Sequence, residues 1–273
     1  QAHNIFVADL AQTDLMTVIM AQVPAAIIAS IVAVVTLTAI AVLRGEGPDD
    51  ARREAYHLRL EREEGGKNFK VNPIYALVPL VPLVLLVLGS KQIAVLPLTD
   101  VPTAMIVGTV LALVVTRANP QEITRKFFDG MGEAYGGVIG LIVSAAVFTA
   151  GMTAMGLTDA LIEAMKGSES VAKIAGAFGP FIIAVISGSG DAAALAFNGA
   201  ITPHAETFGM TIIDLGSLAQ MAGSIGRSMS PVAGAALVCA GLAKVSPMEL
   251  SKRNALPMLL ATITFMIVLF LGK

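Results

Sequence analysis

Two short stretches combine residue types that a plain apolar helix does not need. The first is Ser187-Gly188-Ser189-Gly190-Asp191, and the second is Gly223-Ser224-Ile225-Gly226-Arg227-Ser228-Met229-Ser230-Pro231. Serine hydroxyls and carbonyls freed by unwinding suit a small hard cation such as sodium. The N–H groups that open a helix suit an anion. The planar guanidinium of Arg227 matches a carboxylate through two parallel hydrogen bonds. In hydrocarbon, an unwound backbone and an ionisable side chain are tolerated mainly where they line a cavity. The two breaks therefore predict one binding site.

Each residue also has a plainer use. Asp191 precedes the apolar run Ala192–Phe197, so it reads either as a cation ligand or proton carrier, or as the cap of that helix. Arg227 either meets an anion, pairs with Asp191 or snorkels to the membrane interface. Pro231 is expected to start a second half-helix at its first position, with Ser230 as cap. Asn198 is expected to line the cavity, and Thr202-Pro203-His204 to form an exit turn. Gln220, two helical turns before Arg227, reaches the site or bonds a neighbouring helix.

The elements that must carry these residues are apolar helices at about 15–43, 72–89, 101–116, 136–156 and 252–271, with interrupted ones at about 171–200 and 212–243. Residues 44–70, rich in both charges, read as a solvated cytoplasmic connection. Residues 119–134 read as an amphipathic segment on the membrane face, with Phe127 and Phe128 inward and Arg125 and Lys126 at the headgroups. Cytoplasmic loops are enriched in Lys and Arg. If 171–200 enters and leaves on the outer side, thirteen basic residues fall inside and four outside; if it crosses fully, the ratio drops to eleven against six. The re-entrant hairpin is the expected form.

Composition agrees with a bilayer: 55% hydrophobic, 14% charged and a mean hydropathy of +0.78. A net charge of −2 argues against nucleic acid. A single cysteine, Cys239, leaves neither a disulfide framework nor a zinc site, so the metal expected is at most sodium. The first fourteen residues lack the form of a signal peptide, and the start at Gln1 reads as the back portion of a longer protein.

A faint repeat is also visible. Thr13 precedes Pro24 and an apolar helix, as Ser246 precedes Pro257 and another, each hydroxyl eleven residues before its proline and placed to cap the turn into the helix. The fold expected is an all-α polytopic membrane protein, an inverted-repeat transporter with a re-entrant helical hairpin and a broken transmembrane helix. Residues 1–43 would end a first repeat and 44–70 form a charged linker. Residues 72–273 would form the second repeat, with scaffold helices at 72–116, a transport region at 136–243 and a last helix at 252–271.

The segment Gly223–Gly234, followed by Ala240-Gly241-Leu242-Ala243-Lys244-Val245-Ser246-Pro247, together with Ser187–Ala192, resembles the anaerobic four-carbon dicarboxylate carriers of the DcuC type, in the ion-transporter superfamily. The resemblance implies a dimeric carrier in the bacterial inner membrane that moves succinate, fumarate, malate or aspartate, by exchange or with a coupled sodium ion or proton. It also implies a transport domain that moves like an elevator against a scaffold. Superfamily relatives carry Ser-Asn-Thr at each hairpin tip, and here Ser187–Asp191 stands in that place. The first hairpin is expected to lie in a missing N-terminal half of the same carrier.

On this reading Arg227 and N–H groups near Ser228 hold one carboxylate of the substrate. Ser187, Ser189 and the backbone of Gly188 and Gly190 hold the other. A sodium/proton antiporter using Asp191 is the alternative among carriers. An intramembrane hydrolase, with Ser189 as nucleophile and His204 as base, is the alternative among enzymes.

Overall fold

Runs of Ala, Val, Ile and Leu satisfy their backbone groups inside one segment only as helix, and every regular element among the described residues is helical. The computed structural model describes residues 2–46, 75, 77–89, 100–117, 119–135, 139–165, 168–243 and 245–271. The helices are α1 (Ala2–Leu10), α2 (Leu15–Leu43), α3 (Val81–Leu88, after a 3-10 turn Val78–Leu80), α4 (Val101–Thr116), α5 (Pro120–Ala134), α6 (Gly140–Ala154), α7 (Leu157–Met165), α8 (Glu169–Ser187), α9 (Gly190–Ala200), α10 (Ile212–Met229), α11 (Gly234–Ala243) and α12 (Pro247–Leu269). A 3-10 helix, Thr202–Phe208, follows α9. Most of the charged stretch 44–70, from residue 47 on, lies outside the described residues, as do Lys91, Gly136, Gly137, Lys166, Lys244 and Lys273.

Three of these helices, α2, α8 and α12, are long and apolar enough to cross a bilayer. The chain forms two compact units, one of residues 1–41 with 132–273 and one of residues 42–131. In the second, α3 and α4 cross closely: a methyl group at Gly108 would overlap the Pro82 ring. The aromatic residues of α5 stand edge to face, Phe127 and Phe128 with ring centres 5.7 Å apart, and both are exposed rather than packed on protein.

The first unit is built around α10, which packs against α1, α8, α9 and α12 and buries ten residues, from Asp214 to Gly226. The outer helix α2 buries only Val18, Gln22, Ala25 and Ala29, a stripe at helical spacing, and exposes Ile27, Ile31, Val34 and Val35. That distribution is proper to a helix with lipid on most sides, because apolar side chains facing hydrocarbon have no need of a protein partner. Ala25 and Ala29 meet Ala177, Leu218, Ala261 and Phe265 in one cluster, which ties α2, α8, α10 and α12 together.

Several expectations are corrected. The N-terminal residues form α1, whose buried face carries His3, Asn4, Val7 and Ala8. The turn Met155–Gly156 is followed by a further helix, α7. Thr13 does not cap α2; Asp14 does, its Oδ2 accepting the Thr17 N–H at 2.9 Å. Ser246 occupies the cap position of α12 without a side-chain bond to it.

The largest correction concerns the second break. No unwinding occurs at Gly223–Arg227, because α10 continues to Met229 and the chain leaves the helix only at Ser230–Ala233. These glycines serve close approach instead. A Cβ on Gly223 would lie 2.7 Å from the Gly190 carbonyl oxygen, and one on Gly226 would overlap the Phe181 carbonyl. Pro231 falls in the turn, three residues before α11, and Ser230 caps no half-helix: its N–H bonds the Arg227 carbonyl and its Oγ accepts from the Val232 N–H at 3.3 Å.

Candidate functional site

The chain doubles back after α8. Gly188 takes a left-handed conformation, φ +75°, which ends α8 with its N–H on the Ala184 carbonyl. Ser189 then starts α9, its Oγ accepting the Ala192 N–H at 3.2 Å. The returning arm lies along the first, with Phe197 against Gly179. At the tip, a Cβ on Gly188 would be 3.1 Å from the Ala233 nitrogen, so the hairpin turn abuts the junction between α10 and α11. The two interruptions are thus side by side.

Next to them opens a cavity of about 460 Å³, lined by Gly190 and Asp191 of α9, Ser224, Arg227 and Ser228 of α10, Ala233, Ala235, Ala236 and Cys239 of α11 and its lead-in, and Leu250 and Asn254 of α12. Its size falls within the usual range for small-ligand sites. Arg227 stands exposed in the last turn of α10. Among the described residues its guanidinium has no carboxylate partner within ion-pair distance. The first turn of α11 opens on the same space, and its N–H groups have no partner within the helix. Asn254 and Ser251 on α12 donate to the carbonyls of Ser228 (2.9 Å) and Met229, which satisfies the end of α10 and fixes the wall that carries Arg227. A guanidinium and a helix N-terminus are both groups that suit an anion.

The expected site residues divide accordingly. Gly190, Asp191, Arg227 and Ser228 line the cavity. Ser187, Gly188 and Ser189 form the tip but not the cavity wall, and their polar groups are used locally: Ser187 Oγ accepts the Ser189 N–H at 3.2 Å. Ser228 contributes no free N–H, because it is helical; the free N–H groups come from α11. Its hydroxyl donates to the Ser224 carbonyl at 3.3 Å. Ser230 is fully buried away from the cavity.

Asn198 is fully buried as well. Its Oδ1 accepts the Thr202 hydroxyl at 2.8 Å and its Nδ2 donates to the Gly216 carbonyl at 3.4 Å, so it joins α9 to α10 instead of lining the cavity. Replacing Asn198 with leucine is therefore expected to cost about 1–3 kcal/mol of stability, the usual cost of leaving buried polar groups unpaired. A lowered melting temperature at unchanged succinate affinity is the result that checks it.

Asp191 does not cap α9 and has no ion pair with Arg227; its Oδ1 lies 3.0 Å from His3 Nδ1. His3 was not expected beside the site, and neither were Asn254 and Cys239. Asn254 stands beside Lys252 and Arg253 at the start of the last helix, where nothing local marks it as facing the cavity. Among the described residues no three His, Cys, Asp or Glu side chains gather as a metal site. The hydrolase geometry does not form: Ser189 and His204 lie at opposite ends of α9, an eleven-residue helix roughly 16 Å long.

The match to a known family covers residues 2–273 and is to the C4-dicarboxylate anaerobic carrier, DcuC. The chain belongs to the DcuC family. That family is one of carriers, not enzymes. The chain is 41% identical to an uncharacterised transporter of Haemophilus influenzae over 96% of its own length and 95% of that protein. It is 28% identical to a Vibrio cholerae protein bearing the DcuC name (71% of this chain, 44% of that protein). It is 29% identical to the anaerobic C4-dicarboxylate transporter DcuC of Escherichia coli K12 (69% and 42%). The chain thus spans under half the length of these two DcuC-named relatives. The expectation of a missing N-terminal half stands against a family match across residues 2–273 and a relative matched over nearly its whole length. No solved structure matches.

Proposed function

We propose that this DcuC-family protein carries four-carbon dicarboxylates, succinate, fumarate, malate or aspartate, across the bacterial inner membrane, with the anion held in the cavity between α9, α10, α11 and α12. The observation that supports this most is the unpaired Arg227 guanidinium facing the cavity beside the α11 N-terminus. One substrate carboxylate binds Arg227, and the other meets the N–H groups of α11. This differs from a substrate clamped by the serines of the tip. Ser187 and Ser189 keep a role at the tip, where their oxygens suit a coupling sodium ion.

The hairpin of α8 and α9 is the moving part in this reading, entering the bilayer and returning to the same face. The eleven-residue α9 is too short to cross, although α8, at nineteen residues, has the length of a full span. Elevator-like movement, coupling and pairing of two copies follow from family resemblance.

Cys239 supplies a direct test, because it is the sole cysteine and lines the cavity. Succinate at saturating concentration is expected to slow alkylation of Cys239 by N-ethylmaleimide at least several-fold in the purified protein. No protection by any C4-dicarboxylate would remove the substrate from this cavity. Protection by sodium alone would favour the antiporter.

A further inference from the structure

Behind the cavity wall lies a histidine with no part in the anion site. His3 on α1 is 5% exposed, its Nδ1 is within ion-pair distance of Asp191 Oδ1, at 3.0 Å, and neither ring nitrogen has a hydrogen-bond partner in place. Asp191 itself is half exposed and faces the cavity. We propose that the His3–Asp191 pair is a proton-binding site, which loads one proton together with each dicarboxylate. This inference rests on the carrier reading above.

The physical case is one of charge. With His3 neutral, the Asp191 carboxylate presents negative charge to the space that a dianion must enter, which opposes binding. A proton arriving at Nε2 makes an imidazolium whose Nδ1–H stays on Asp191. The pair is then neutral overall, and the field of Arg227 is unopposed. Unpartnered acceptor oxygens lie on the neighbouring helices. On the neighbouring α2, Gln22 donates its Nε2 to Asn4 at 3.0 Å and leaves its Oε1 buried without a donor; Gln220 Oε1 on α10 is likewise buried and unpartnered. Gly216 of α10 touches Val7 of α1, and Gln220 lies one turn further along the same face toward the His3 end. Both are buried acceptor oxygens without a donor, on the helices that pack beside α1.

Burial pushes the His3 imidazole below its ordinary value, and the Asp191 carboxylate opposes that push. Asp191 on α9 is the charged group that faces His3; on the helices packed beside it the charged residues are Asp9 of α1 and, at the two ends of α10, Asp214 and Arg227, and α2 contributes none between Leu15 and Leu43. A bound dianion stabilises the imidazolium and so raises the pKa of His3. Dicarboxylate affinity is therefore present in full at pH values below the substrate-free pKa and falls as pH rises through the substrate-bound one, by at most about tenfold per pH unit.

The test uses the purified full chain in weakly buffered solution with a pH indicator, and fumarate, whose two carboxyls are both ionised at neutral pH. Fumarate binding, followed by calorimetry, is expected to draw about one proton from solution per site. His3→Gln is expected to bind fumarate more weakly, with no proton uptake and no pH dependence. Should His3→Gln not fold, Asp191→Asn is expected to lose the uptake equally. Binding without uptake in the unaltered protein, or uptake persisting in either variant, overturns the inference and leaves the carrier reading standing. Absence of fumarate binding overturns that reading and this inference with it.

Discussion

Arg227→Ala is expected to weaken succinate affinity about 10- to 100-fold while leaving the fold intact. The magnitude follows from the interaction lost: hydrogen bonds to a charged group contribute about 1.5–3 kcal/mol, and each 1.4 kcal/mol is tenfold. The intact fold follows from position. The guanidinium is exposed and has no partner among the described residues, so its removal breaks no bond within the protein. Arg227→Lys should recover only part of the loss, because an ammonium keeps the charge without the two-pronged geometry. Uptake by proteoliposomes at varied succinate, together with a melting curve, checks both halves. An unchanged KM in a well-folded Arg227→Ala protein would move the anion site elsewhere.

Gly226→Val carries the largest expected cost in stability. Here α10 crosses α8 so closely that even a Cβ would overlap the Phe181 backbone, and backbone cannot rotate aside as a side chain can. The helices must separate, which forfeits packing along a contact where small residues let two backbones approach. Overpacking of this kind costs about 1–3 kcal/mol and sometimes more. The same displacement would shift Gly223 from Gly190, so the wall of the cavity moves as well. Gly241→Ala is the matched control: nothing lies within 4 Å of its missing Cβ, and in α11 alanine is a better helix former by up to about 1 kcal/mol. Melting temperature in detergent should fall for Gly226→Val and hold or rise for Gly241→Ala.

Much of the helical framework is legible from composition along the chain. The boundaries of α2 and α4 coincide with the apolar runs at 15–43 and 101–116, and the hairpin turn falls at Ser187–Gly190 as its glycines and serines suggest. These are local properties: an apolar run of sufficient length must be helix in lipid, and a glycine at positive φ with a serine after it stops one helix and starts another. Arg227 too is marked locally, as a cation within an apolar run.

The second glycine cluster shows where local reading ends. Gly223 and Gly226 are compatible with an unwound chain or with tight helix packing, and the choice rests on Gly190 and Phe181, residues more than thirty positions away. Asn198 is equally ambiguous, since a polar residue near a tip suits a ligand or a buried bond to another helix; Thr202 and Gly216 decide it. The extreme case is His3, which meets Asp191 across more than two thirds of the chain. Helix formation is encoded in neighbours along the backbone, whereas the identity of a partner across a helix crossing depends on how distant faces pack. The apolar pattern accordingly specified the helices and the place of the hairpin turn, and three-dimensional packing alone assigned which polar side chains face the cavity and which hold the helices together.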